Sequence, residues 1–132
     1  MKLVFISDTH NRHNDIILPE GDVLIHCGDA TGRGRPHEVA AFLSWFEEQH
    51  QYKQRIMIAG NHDFMFQEEP YLAKAELVER DIVYLEDGEF EYEGLKFYGS
   101  PWQPWFCDWA FNLDRGPDIA AKWAQIPDTL TS

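Results

Sequence analysis

Basic residues are scarce in this chain: 11 lysines and arginines face 23 aspartates and glutamates, for a formal charge of -12. That balance argues against broad contact with duplex nucleic acid or an anionic membrane, since both need basic patches. Cysteine is scarcer still, with Cys27 and Cys107 alone. Two thiols are too few for a secreted disulfide scaffold, and neither stands in a Cys-x-x-Cys zinc pattern, so reduced, buried thiols are expected. No hydrophobic run approaches a membrane span. The apolar start Met1 to Ile6 meets Ser7 and Asp8 too soon for a signal-peptide core, which points to the cytoplasm. Internal repeats and low-complexity tracts are missing as well. What is present is 132 residues, 44% of them hydrophobic, enough for the core of one domain spanning 1–132 and not for two.

Taken in order, Leu3 to Ile6 is a continuous apolar run, as expected of a strand covered on both faces. Asn11 to Gly21 reads as a loop with one helical turn near Asp15 to Leu18. Asp22 to Cys27 is a second strand ended by Gly28-Asp29. Pro36 suits the first turn of a helix carrying Val39, Phe42, Leu43 and Phe46 and running to about Gln49. Arg55 to Ala59 is a third strand. Tyr71, Leu72, Ala75 and Val78 mark a helix from Pro70 to Arg80, and Ile82 to Leu85 a fourth strand. Glu89 to Tyr92 and Leu95 to Tyr98 alternate in polarity about Gly94, a hairpin pattern. An irregular loop crowded with Trp102, Trp105, Phe106, Trp109 and Phe111 follows, its rings expected in the core. Pro117 then opens a last helix with Ile119, Ala120, Trp123 and Ile126 on one face. Strands alternating with helices predict an α/β fold of parallel βαβ units, whose ligand site lies on the rim formed by the loops after the strands.

Each of the first three strands ends in potential metal ligands. Asp8 and His10 are two residues apart, so in an extended chain they project to one side and can grip one ion. Asp29 has two oxygens with which to bridge a pair of ions, and Asn61 from the next strand reaches the second. His62 is placed beside the substrate to give or take a proton, with Asp63 as the carboxylate that orients its imidazole. His26 is read as a satisfied core or supporting histidine, His13 as a lesser candidate ligand, and Arg33 and Arg35 as solvated loop residues. Carboxylate, amide and imidazole donors without thiolate suit manganese first, then iron, zinc or nickel.

Asp8-x-His10, Gly28-Asp29 and Gly60-Asn61-His62-Asp63, in that order on successive strands, resemble the metallophosphoesterase (calcineurin-like phosphoesterase) superfamily. Ser7-Asp8-Thr9-His10, Gly21 to Ala30 and Leu95 to Trp102 are similar to one branch, the small metallophosphoesterase-domain-containing and class III cyclic-nucleotide phosphodiesterases. The resemblance implies two β-sheets packed face to face with helices outside. It also implies two divalent ions held by Asp8, His10, Asp29 and Asn61, with hydrolysis of a small phosphodiester or phosphomonoester by a metal-activated hydroxide. His62 would then serve the leaving group, oriented by Asp63.

The resemblance also implies histidine ligands from a C-terminal half, one after a glycine and a pair as Gly-His-x-His, and this sequence holds neither. The domain reads as truncated after its first half, with an apolar sheet face and strand edges that favour self-association. Two further readings stay open: a catalytically incomplete fragment acting as an interaction module, and a metal-binding protein without turnover.

Overall fold

The computed structural model describes residues 1–78, 80–104, 110–113 and 117–126, with the backbone alone at 103 and 104. Strands β1 (Leu3–Ile6), β2 (Val23–His26), β3 (Gln54–Met57) and β4 (Val83–Tyr84) form a parallel sheet in the order β1-β2-β3-β4. Side-chain alternation along these strands divides the sheet into two apolar faces. On one face Val4, Leu24 and Met57 pack with Val39, Phe42, Leu43 and Phe46 of helix α1 (Pro36–Glu47). On the other, Val23, Ile25 and Ile56 meet Phe90, Tyr92 and Phe97. These rings belong to the antiparallel hairpin β5 (Gly88–Tyr92) and β6 (Leu95–Gly99). The expected arrangement of two facing sheets with helices outside is therefore present, the second sheet consisting of this hairpin. The hairpin turn is Glu93-Gly94, both at positive φ (49° and 83°), as a two-residue connection between right-twisted strands demands.

Helix α1 starts where Pro36 presets φ, and Glu38 reaches back to accept the amides of Arg35 (3.0 Å) and Arg33 (3.2 Å). The turn expected near Asp15 to Leu18 forms earlier, as a 3-10 turn at His13–Asp15. A helix the sequence pattern did not single out, α2 (Phe64–Glu68), buries Met65 and Phe66 and leads directly into α3 (Pro70–Leu77). Because α2 fixes the entry to α3, the expected face of α3 is rotated away: Tyr71 is 86% exposed, Leu72 and Val78 are exposed too, and Ala73 is the buried residue. Val78 takes an extended conformation (ψ 139°) and ends α3 short of Arg80. Two short strands, β7 (Gln103–Pro104) and β8 (Asn112–Leu113), pair in parallel. Helix α4 (Pro117–Trp123) buries Ile119.

Of the aromatic loop, Phe111 is buried, and Trp102 packs edge-on to it at 5.2 Å while donating Nε1–H to Asp87 (2.8 Å). Cys107, Trp105, Phe106 and Trp109 lie outside the described residues. No helix among the described residues is long and apolar enough to cross a membrane.

Candidate metal centre

The parallel sheet brings the ends of β1, β2 and β3 to one rim, and backbone hydrogen bonds carry the pairing past the strands. The amides of Asp8, His10 and Asn11 donate to the carbonyls of Gly28 (2.9 Å), Asp29 (3.0 Å) and Ala30 (2.9 Å). The extended conformation assumed for Asp8 and His10 does not persist: β1 stops at Ile6, and Asp8 (φ 56°), His10 (φ 42°) and Asn11 (φ 64°) are all left-handed. Asp29 (φ 58°) shares that conformation. Non-glycine residues seldom adopt it, and it costs on the order of 1–3 kcal/mol each where no local bonding compensates. The strained turn still brings Asp8 and His10 together, with His10 Nε2 standing 3.8 Å from Asp8 Oδ1.

Asp29 stands at the centre of this rim. Its Oδ1 accepts the His62 amide (2.9 Å), which ties the loop after β2 to the loop after β3. Its carboxyl also neighbours that of Asp8 closely enough for the two to shift each other's ionisation. Burial raises the Asp29 pKa, and the neighbouring Asp8 carboxyl adds to that rise against the His62 amide bond. Burial pushes Asp8 the same way, but hydrogen bonds with Ser7 and Asp29 and the nearby His10 and His26 leave its carboxyl below the usual range. Two neighbouring carboxyls repel each other when both are ionised, and a cation bound between them would relieve that repulsion. One ligand atom each from His10, Asp29 and His62 lies within 4.8 Å of the others, and the His10 and His62 rings meet edge to face at 4.5 Å. The donor set is oxygen and nitrogen without sulfur, which fits a borderline divalent ion.

Asp8, His10 and Asp29 are thus gathered as the sequence anticipates. Asn61 lies on the same rim, between Gly60 and His62, and its carbonyl accepts the Ala110 amide (2.9 Å). His62, expected beside the substrate, also falls within ligand reach of the cluster. Its Nδ1 meets the Gly32 carbonyl at 2.9 Å.

The expectation for Asp63 is corrected. Its carboxylate is fully buried and committed elsewhere, accepting the amides of Gly60 (2.8 Å), Thr31 (3.0 Å) and Ala30 (3.3 Å) and the Thr31 hydroxyl (2.5 Å). Those donors face it because the loops after β2 and β3 press together: Gly28 packs so closely on Gly60 that a Cβ on Gly28 would sit 3.0 Å from the Gly60 Cα. Asp63 cross-links the two ligand-bearing loops, and a backbone carbonyl takes the orienting place at His62.

His26 is a supporting residue, as its place in β2 suggested. It is wholly buried; the Gly28 amide donates to its Nδ1 (3.2 Å), so its Nε2 carries the hydrogen and donates to Thr9 Oγ1 (3.0 Å). Thr9 passes its own hydrogen to the Ala30 carbonyl (3.3 Å). Burial lowers the His26 pKa to about 4. His13 is buried against Phe42 and Trp45 of α1, away from the ligand cluster, and burial lowers its pKa as well. Thr9 and Thr31 were not anticipated; a threonine beside a ligand in sequence says nothing of which buried group it will meet.

Comparison with known proteins places these features in a family context. Residues 1–127 match the family model described as calcineurin-like phosphoesterase. The human and mouse proteins named metallophosphoesterase domain-containing protein 1 are each 39% identical to the chain, over 96% of it and 45% of their own length. A Caenorhabditis elegans UPF0046 protein is 35% identical over 96% of the chain and 50% of its own length. The chain thus spans about half the length of the curated relatives it matches.

Proposed function

This chain belongs to the calcineurin-like phosphoesterase family, and we propose that it hydrolyses small phosphate esters, phosphodiesters including cyclic nucleotides first and phosphomonoesters second. The observation that carries the reading is the convergence of His10, Asp29 and His62 donor atoms within 4.8 Å, with the Asp8 carboxyl beside His10 and Asp29. In this reading Asp8, His10, Asp29 and Asn61 would hold the divalent ions. Manganese is the first choice, with iron, zinc or nickel as alternatives. When bound, such ions supply Lewis acidity toward phosphoryl oxygens and raise the acidity of coordinated water.

The remaining work falls to the protein. The Gly32 carbonyl accepts a hydrogen from His62 Nδ1, so the second proton of the imidazolium is the one on Nε2. Delivered to the departing oxygen, that proton prevents the build-up of an alkoxide. Asp63 and Thr31 keep the loops of Asp29 and Asn61 in register, so the ligands are held before substrate arrives. An acidic chain repels a phosphate ester at long range, and divalent cations held by these residues would reverse that field locally. A cytoplasmic setting, with the Cys27 thiol reduced though exposed and not buried as expected, accompanies this reading.

The direct test is hydrolysis of a chromogenic phosphodiester with added manganese, with Asp29→Ala as control. Turnover that disappears in Asp29→Ala supports the proposal; turnover equal in both sinks it. His62→Ala is expected to impair turnover while leaving manganese uptake largely intact. An equal loss of uptake in His62→Ala and Asp29→Ala would instead make His62 a ligand. Manganese uptake that depends on Asp29, without any turnover, would favour the reading of a metal-binding domain.

A further inference from the structure

Asn11 follows the two candidate ligands after β1 and is not one of the clustered donors, yet its amide is committed at both ends. Its Oδ1 accepts the Gly32 amide (2.9 Å), and its Nδ2 donates to the Glu38 carbonyl in α1 (3.1 Å). A backbone amide only donates and a carbonyl only accepts, so the orientation of the Asn11 side chain is settled by its partners. Its left-handed backbone (φ 64°) is one that asparagine tolerates better than most residues, and its own amide is held by the Ala30 carbonyl. One residue thus joins the loop after β1, the loop after β2 and the first turn of α1.

The consequence reaches His62. Gly32, whose amide Asn11 holds, offers its carbonyl to His62 Nδ1 at 2.9 Å. Because that oxygen only accepts, the neutral imidazole carries its hydrogen on Nδ1, and Nε2 is its acceptor nitrogen. The residues that follow Gly32 are anchored too, since Glu38 Oε1 takes the amides of Arg33 and Arg35. Without Asn11 the upstream side of Gly32 loses its fixed partner.

We propose that Asn11 is a positioning residue for His62: by holding Gly32 it keeps the imidazole in the Nδ1–H tautomer and turns Nε2 toward the ligand cluster. This rests on the hydrolase reading only for its use in turnover; the geometry stands without it.

The test reads the tautomer. Nitrogen-15 spectra of the imidazoles, recorded on the full chain after chelation and at a pH where histidine is neutral, distinguish the pyrrole-type from the pyridine-type nitrogen of His62. In the unaltered chain Nδ1 is expected to be pyrrole-type and Nε2 pyridine-type. In Asn11→Ala the two resonances should move toward each other as the tautomers mix. Asn11→Asp keeps the acceptor for the Gly32 amide and should restore the separation, a rescue that general loosening of the loop would not produce. Should Asn11→Ala not fold, Asn11→Ser carries the same expectation of mixing. A His62 that stays wholly Nδ1–H in the folded variant lacking the acceptor overturns the proposal, as does one that is Nε2–H in the unaltered chain. Failure to hydrolyse any phosphate ester would overturn the hydrolase reading and leave the tautomer result standing, because the spectra do not depend on turnover.

Discussion

A side chain on Gly60 would strike Asp29: a Cβ built there runs into both the Asp29 carboxylate and its backbone amide. Absence of a side chain at one position is thus what lets the carboxylate of another reach the ligand cluster. Gly60→Ala should displace Asp29, cost about 1–3 kcal/mol as overpacked sites do, and weaken manganese binding more than it weakens folding. Urea denaturation and metal titration on the same variant check this; unchanged metal affinity would show that Asp29 tolerates the shift.

Asp63 should behave as a structural carboxylate. Asp63→Ala strands the buried amides of Gly60, Ala30 and Thr31 and the Thr31 hydroxyl, and each unsatisfied buried group costs about 1–3 kcal/mol, though not additively. A loss of at least about 2 kcal/mol is expected in the metal-free protein, with Asp63→Asn falling between. A variant that unfolds at the same urea concentration as the parent, yet loses turnover, would restore the orienting role read from the sequence.

Stability should fall with acid in a particular window. The pKa of His26 is lowered by burial from 6.5 to about 4 in the folded chain. Above the unfolded value both states are neutral and the full stability is present. Between 6.5 and about 4 the unfolded chain takes up a proton that the folded chain refuses, so stability is lost as pH falls through that range. A depression of this size corresponds to about 3 kcal/mol. His13, lowered in the same direction by burial, adds to the slope. Denaturation midpoints of the chelated protein across that range should decline, and the decline should flatten in His26→Gln. An equally steep decline in that variant would assign the effect to other groups.

Self-association remains a proposal with a definite handle. Phe5 on β1 is 62% exposed on the hairpin-facing side of the sheet. It borders an apolar cavity of about 370 Å³ shared with Ile25, Ile58, Phe97 and Trp123. Among the described residues β1 pairs only with β2, so its outer edge is open. Light scattering should show a dimer that Phe5→Lys shifts toward monomer. A monomer at high concentration in the parent chain would end this reading.

Much of this protein was legible in the sequence, because the signals concerned are local. Short, largely apolar runs such as Leu3–Ile6 and Val23–His26 read as strands of a covered sheet, although Phe5 of the first stays 62% exposed, and parallel strands bring their carboxyl ends to one rim whatever the details of packing. Asp8, His10, Asp29 and Asn61 stand just past those ends, so their place on one rim followed from topology. The hairpin about Glu93-Gly94 and the start of α1 at Pro36 followed from turn and cap chemistry of the same local kind. What the tertiary structure decided is who faces whom. Asp63 and the Gly32 carbonyl lie far apart in sequence, and no spacing rule says which of them the His62 ring will meet. That was settled by how closely two glycine backbones, Gly28 and Gly60, allow the loops to approach. The face of α3 that is buried was likewise set by its junction with α2, not by its own periodicity. Local pattern selects elements and the rim on which chemistry collects; contacts across loops, which depend on the whole packed chain, assign each side chain its partner.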